Sequence, residues 1–197
     1  MRPELRRLDI AETKKVYELY MKKDFPRNER KPFRIIADCM RRGCYEVYGA
    51  FSGGELSGYA LFYVTEKDGG RIALLDYFAV VSGRRGQGLG SAILEQLTPE
   101  RLGLRCFVLE SEQVTEGLDN DTREVREKRF RFYERAGGLH SAVQAYLYGV
   151  DYDIIVFQAE GVDLDDYEIF AVTDYLYREM YPLSWFPRLA KVYDLRK

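Results

Sequence analysis

The sequence predicts an α/β (α+β) fold, a single domain on a mixed central sheet of about seven strands with helices on both faces. Three observations lead there. Runs with strand character and runs with helical periodicity follow the order strand, two helices, three strands, helix, strand, helix, two strands, helix. One run, Ile72 to Val81, is almost continuously apolar, the pattern of a central strand buried on both faces. It feeds a glycine-rich loop, Ser82 to Gly90, that opens an amphipathic helix. At 197 residues the chain has the length of one domain with one sizeable core.

Asp9 and Glu12 have capping-box spacing at the start of a helix through Lys23, with Val16, Leu19 and Tyr20 on its apolar side and Pro26 as its end. Pro32 sits in the first turn of a second helix, whose Phe33, Ile36, Ala37 and Met40 recur at helical spacing before Gly43. Phe25 to Lys31 is an exposed loop between them. Tyr45 to Phe51 and Leu56 to Val64 read as antiparallel strands around a Gly53-Gly54 hairpin turn. Gly69-Gly70 makes another turn, ahead of the central strand that Asp76 interrupts. Past the glycine loop, Leu89, Ala92, Ile93 and Leu97 mark a helix, and Leu104 to Glu112 is the next strand.

Asp121 and Glu124 give a second capping-box signature, ahead of a charged helix that ends in Phe130, Phe132, Tyr133, Ala136 and the stop Gly137-Gly138. Ala142 to Tyr148 and Tyr152 to Phe157 flank Gly149 to Asp151 in a final hairpin. A last helix runs from near Asp163 to about Tyr181, where Pro182 stops it. Residues 1–160 read as the core and 161–197 as a C-terminal helix and tail. The tail's apolar segment, Leu183-Ser184-Trp185-Phe186-Pro187, packs on the core or on a second subunit, which would make a homodimer.

Composition excludes several classes of function. Thirty basic against 32 acidic residues give a net charge of -2, with no global drive toward nucleic acid or an anionic membrane. No apolar run approaches the ~18 residues of a membrane span, and the N-terminal arginines lack the apolar stretch of a secretory signal. Cys39, Cys44 and Cys106 have no CxxC spacing and His140 is the only histidine, so no metal site is expected; three unpaired cysteines fit a reducing cytoplasm. The glycine loop is an anion-binding device, because orphan N–H groups and the helix dipole point at the ligand. It is not a Walker loop, since Leu89 and Gly90 follow Gly88 where Lys-Ser or Lys-Thr is needed. It departs from a dinucleotide fingerprint at Ser91, and the strands before it run in the wrong order for one.

Arg85-x-x-Gly88-x-Gly90 resembles the signature of the GNAT superfamily of acyl-CoA-dependent N-acyltransferases. Leu75-Asp76-Tyr77-Phe78-Ala79-Val80 resembles that superfamily's fourth strand, and Phe132-Tyr133-Glu134-Arg135-Ala136-Gly137 its Phe-Tyr-x-x-x-Gly helix end. The resemblance implies a sheet splayed between strands 4 and 5, with acetyl-CoA as co-substrate. The backbone amides of Gly86, Gln87, Gly88, Leu89 and Gly90 would approach the pyrophosphate, Arg84 and Arg85 would add positive charge, and Phe78, Ala79 and Val80 would bond the extended pantetheine arm. An N–H near Ala79 or Val80 would polarise the thioester carbonyl.

By the same resemblance Tyr133 is the acid that protonates the departing thiolate, a role open to a phenol protonated at neutral pH. Asp76, on one strand face with Phe78 and Val80, and Glu110, on another with Val108 and Glu112, are equal candidates for the base, and Glu112 is expected to be solvated. An acidic site favours a cationic acceptor. Glu29, Arg30 and Phe33 fall where the superfamily forms its acceptor wall. Gly138 and Arg126 depart from the family pattern, at positions usual for Phe and Asn. The expected activity is acyl transfer to a primary amine of a small molecule or peptide, by direct attack in a ternary complex. A non-catalytic acyl-CoA-binding protein, or more distantly a nucleotide-binding regulator, would use the same loop.

Overall fold

The apolar run Ile72 to Val81 forms, up to Val80, strand β4 (Gly70–Val80) of the computed structural model, which describes residues 2–181 and 190–194. β4 is one of eight strands, with β1 (Glu4–Arg7), β2 (Tyr45–Ser52), β3 (Glu55–Lys67), β5 (Cys106–Glu112), β6 (Leu139–Leu147), β7 (Val150–Gln158) and β8 (Ala190–Asp194). The strand order is β1-β2-β3-β4-β5-β7-β6-β8, in a mixed sheet. β4 and β5 are parallel, while β1 with β2, β2 with β3, β5 with β7, β7 with β6 and β6 with β8 are antiparallel. This is the mixed α/β architecture expected, with one more strand. β8 pairs with β6 from Leu147↔Ala190 to Val143↔Asp194. Its five residues carry Lys191 and Asp194, too polar and short a run to declare a strand without its partner.

By its contacts the chain forms two compact units, Met1–Val64 with Leu75–Leu97, and Thr65–Leu74 with Thr98–Lys197. β3 and β4 each contribute to both. In the first unit, helix α1 (Ile10–Val16) starts at the expected capping box, with the Asp9 carboxylate accepting from the Glu12 N–H at 2.7 Å and the Glu12 carboxylate from the Asp9 N–H at 3.2 Å. It continues through a π-helical turn, Tyr17–Met21, into α2 (Lys22–Asp24). Helix α3 (Phe33–Arg41) follows Pro32, and α4 (Leu89–Leu94) follows Gly88. The core of this unit is built from Met21, Ile36, Val47, Tyr59, Leu61, Phe62 and Ile93, all 1% exposed or less.

The second unit holds the short helix α5 (Pro99–Leu102), α6 (Asn120–Arg135) and α7 (Asp166–Met180). Its turns differ from the expected ones in a consistent way. The β3–β4 turn is Asp68-Gly69, with φ of 52° and 76°, and Gly70 is already in the strand. The β6–β7 turn is Tyr148-Gly149, with φ of 51° and 93°, because Leu147 pairs with Val150. Both are two-residue turns of positive φ, which match strand twist. A tyrosine in that left-handed conformation is unusual enough to conceal the second one. The N-cap of α6 is Asp119, accepting from the Thr122 N–H at 2.8 Å, two residues before the expected Asp121; Glu124 instead pairs with Lys128 one turn on. α7 opens with a capping box of Asp165 and Glu168 and packs on β6 and β8. The Leu183 to Pro187 segment lies outside the described residues. Among the described residues no helix is long and apolar enough to cross a membrane.

Gly58 on β3 permits the close approach of β4 beside the glycine loop. A Cβ there would lie 2.8 Å from the Ala79 carbonyl oxygen and 2.6 Å from Ile93 Cδ1. Gly58→Ala is expected to destabilise by about 1–3 kcal/mol through overpacking, read in a thermal melt as a fall of roughly 2–10 °C.

Candidate functional site

The parallel ladder of β4 with β5 is short. Its registered pairs are Ile72↔Cys106, Ala73↔Phe107 and Leu74↔Val108. β4 runs six residues further, through Leu75, Asp76, Tyr77, Phe78, Ala79 and Val80. β5 runs on through Leu109 to Glu112, bonded on its other side to β7.

The glycine loop begins where β4 stops. Val81 donates its N–H to the Ser57 carbonyl at 2.9 Å, and the Arg84 N–H returns to the Val81 carbonyl at 3.0 Å. Among the described residues, the N–H groups from Arg85 to Gly88 donate to no backbone carbonyl. Gly86 and Gly88 have φ of 77° and 73°, which L side chains rarely adopt, and beyond the adjoining residues nothing lies within 4 Å of where a Cβ would stand. Gln87, Gly88 and Leu89, with Arg2, Arg84 and Ala92, line a cavity of about 560 Å³. This is an uncovered run of peptide donors at the head of α4, in a cavity that the Glu95 carboxylate also lines.

The loop arginines are not free charges. Arg84 pairs with Glu55 and donates to Ser57 Oγ at 3.0 Å. Arg85 donates through Nε to the Val80 carbonyl at 3.1 Å and through Nη2 to Asp24 at 2.9 Å. Asp24 also accepts from the Tyr59 hydroxyl at 2.8 Å. Burial, then the hydrogen bond to Asp24, pushes the Tyr59 phenol far above its ordinary value.

Asp76 is the most tightly held of the candidate carboxylates. Its side chain is 8% exposed, and both oxygens accept from Lys31 Nζ at 2.7 Å. The Tyr45 hydroxyl also donates to it. The next residue, Tyr77, clamps the same loop: its hydroxyl donates to the Glu29 carbonyl at 2.8 Å and accepts from the Lys31 N–H at 2.9 Å. Phe25 packs edge-on against the Tyr77 ring with centroids 5.1 Å apart. The expected acceptor wall is therefore fastened to β4 immediately before Phe78. Glu29 is exposed, Arg30 half-buried with its guanidinium 5.8 Å above the Tyr17 ring, and Phe33 half-buried at 5.5 Å from the same ring.

In the second unit, Glu110 is half-buried on β5, two residues past Val108, and accepts a hydrogen bond from the Tyr177 hydroxyl of α7. Glu112 is not merely solvated: Arg126 and Arg129 of α6 pair with its two oxygens at 3.4 and 3.3 Å, and Arg126 also donates to the Gln113 carbonyl at 2.6 Å. Tyr133 is buried at the end of α6, and burial pushes its phenol above the ordinary 10.0 while Arg129 opposes that shift. His140 stands exposed on β6 beside the Phe130 ring. Among the described residues no group of three His, Cys, Asp or Glu side chains is placed to hold a metal ion.

Lys31, Tyr45, Asp24 and Tyr177 were not singled out in the sequence. Each is joined to its partner across a long separation, 31 residues for Tyr45 with Asp76 and 67 for Tyr177 with Glu110. No local spacing encodes such pairs.

The family model described as "Acetyltransferase (GNAT) family" matches residues 13–137. No curated protein sequence matches the chain. Solved structures share its fold. A GNAT-family protein from Bacteroides thetaiotaomicron is 21% identical, with a TM-score of 0.65 over 90% of this chain and 98% of its own. The ribosomal-protein-S18-alanine N-acetyltransferase of Escherichia coli is 18% identical, with a TM-score of 0.57 over 82% and 99%. A Bacillus subtilis acetyltransferase in complex with CoA is 13% identical, with a TM-score of 0.56 over 80% and 99%.

Two outcomes follow from the site's bonding. Tyr77→Phe removes both bonds that clamp the loop and leaves the Lys31 N–H without the Tyr77 acceptor. Amide exchange at Lys31 should quicken at least tenfold, with about 1–2 kcal/mol of stability lost. Burial also raises the Tyr133 and Tyr177 phenols above 10.0. Below pH 10 both are neutral, folded or unfolded, and their contribution is intact; above it the unfolded chain ionises first, so stability falls as pH rises. Burial raises the Cys106 thiol from 9.0 to about 11 in the same sense, so melting temperature measured from pH 8 to 12 should hold to about pH 9 and then decline, less steeply in Tyr133→Phe.

Proposed function

The chain belongs to the acetyltransferase (GNAT) family, and from that premise we propose that it transfers an acetyl group from acetyl-CoA to a primary amine, by direct attack in a ternary complex. The observation that carries this reading is the uncovered glycine loop at the end of a strand that runs on past its registered pairs with β5. The N–H groups from Gly86 to Gly90 take the pyrophosphate. The Phe78, Ala79 and Val80 backbone takes the amide-bearing arm as an added strand and offers an N–H to the thioester oxygen. Because Arg84 and Arg85 are each paired with a carboxylate, they shape the loop and hold it against β3 and Asp24 while the peptide donors do the binding.

The amine nitrogen attacks the thioester carbon, the C–S bond breaks, a carboxylate takes the ammonium proton and Tyr133 gives its proton to the thiolate. A phenol raised by burial is fully protonated at neutral pH, as that donor must be. Glu110 is the better candidate for the base. Its Tyr177 partner is a neutral phenol, whereas Asp76 is bridged on both oxygens by the Lys31 ammonium. Asp76 instead fixes the loop whose Glu29, Arg30 and Phe33 face the acceptor. The acceptor is a small-molecule or peptide amine, and the free thiols of Cys39, Cys44 and Cys106 suit the reducing cytoplasm.

Acetyl-CoA should raise the melting temperature of the wild type in proportion to the logarithm of its concentration, and ATP or NAD should not. Gly88→Glu should abolish that shift, since a left-handed position with an added carboxylate both strains and repels. Gly88→Asn, which tolerates the conformation, should retain part of it. Tyr133→Phe should lower turnover by about 100-fold in a thiol-release assay with an amine panel, with the acetyl-CoA shift unchanged. A Gly88→Glu protein that still binds acetyl-CoA normally would overturn the loop assignment.

A further inference from the structure

A carboxylate that collects a proton must be held in register with the reacting amine, and one partner of Glu110 comes from outside the family's matched segment. We propose that Tyr177 is a positioning residue for Glu110, so that α7 is part of the catalytic apparatus rather than a C-terminal cover. This rests on Glu110 as the base. The family model ends at residue 137, and α7 spans Asp166–Met180. From it the Tyr177 hydroxyl donates to the Glu110 carboxylate.

The geometry is that of a built contact. Tyr177 is 0% exposed. Its ring meets Tyr181 edge-on at 5.6 Å, and Tyr181 meets Tyr148 in the same way at 6.2 Å. α7 itself is fixed at its start by the Asp165–Glu168 capping box and along its length by buried Ile169, Val172 and Leu176. The phenol therefore cannot swing to water, and with a carboxylate opposite it serves as a donor. Burial and then the charge of Glu110 raise the Tyr177 phenol well above its ordinary value, so it stays protonated over the working range of the enzyme.

A neutral donor suits a base better than a cation would. It fixes the carboxylate and favours its ionised form by a hydrogen bond, without adding a positive charge that would repel an approaching ammonium group. Tyr181 after α7 and Tyr152 on β7 also act on the Tyr177 phenol, both raising it. Glu112, on the same strand, is occupied by Arg126 and Arg129 of α6. Removing the Tyr177 hydroxyl should make the Glu110 carboxylate easier to protonate.

The test is the pH profile of kcat/KM for the full chain with its best amine. Tyr177→Phe keeps the ring and its packing; the acid limb should move up by about one pH unit, with the high-pH rate within a few-fold of wild type. Val172→Ala, which empties a buried site on the same helix without touching Glu110, should lower the melting temperature and leave the limb in place. Glu110→Gln should remove the limb and most of the rate. A Tyr177→Phe profile that superimposes on wild type, alongside a crippled Glu110→Gln, would overturn the positioning role and leave Glu110 as base. A Glu110→Gln protein with wild-type rate and limb would overturn the choice of base and the role of Tyr177 with it.

Discussion

The parallel ladder between β4 and β5 stops at Leu74↔Val108, and the chemistry proposed for this protein depends on that stop. Backbone N–H and C=O groups need partners wherever water is scarce. β4 is nearly continuous apolar sequence, and it runs on for six residues after its registered pairs with β5 end at Leu74. In the proposed function, an extended ligand that carries its own amides bonds to that stretch, and the pantetheine arm of coenzyme A is such a ligand. The glycine loop follows directly from the same strand, so peptide donors for the arm and for the phosphates come from one stretch of backbone.

Two carboxylates lie just past the end of that ladder, Asp76 two residues beyond Leu74 and Glu110 two residues beyond Val108. Their surroundings separate their roles. Asp76 accepts from a lysine and a tyrosine, and breaking such a buried pair typically costs about 3–5 kcal/mol because a charge is left uncompensated. It is a fastening, and Tyr77 beside it doubles the fastening by gripping the Glu29 and Lys31 backbone. Glu110 meets a phenol instead. Two acids of similar intrinsic strength thus stand in different surroundings, Asp76 fastening the loop of residues 29–31 and Glu110 bonded to a buried phenol of α7, and the proposed division of labour between them follows the neighbour and not the residue type.

Most of the fold was legible because its signals are local. Asp9 with Glu12, Gly53-Gly54 and the apolar run of β4 act within a few residues, and the structure repeats them. The misplacements are local too. Asp119 caps α6 in place of Asp121, since only an N-cap carboxylate with a free N–H three residues on can close that turn, and sequence offers both. Tyr148 at positive φ defied the rule that reserves such turns for small residues. The site was legible only in part. Loop and strand motifs announce the donor side, whereas Lys31 with Asp76, Asp24 with Arg85 and Tyr177 with Glu110 are products of tertiary packing that no periodicity records.

The fate of the loop arginines shows why charge counting alone misjudges such a site. Arg84 and Arg85 look in sequence like cations waiting for phosphate, but Glu55 and Asp24 already balance them. Asp24 is 4% exposed, so its pairing with Arg85 is a structural strut from α2 to the end of β4, where Arg85 also grips the Val80 carbonyl. In the proposed function the hold on an anion then rests largely on peptide dipoles, which act over a few ångströms and require contact, with Arg2 at the rim of the same cavity. Recognition by contact needs an uncovered backbone more than it needs charge, and glycines at 86 and 88, flanked by the Arg84–Glu55 and Arg85–Asp24 ion pairs, leave that backbone uncovered.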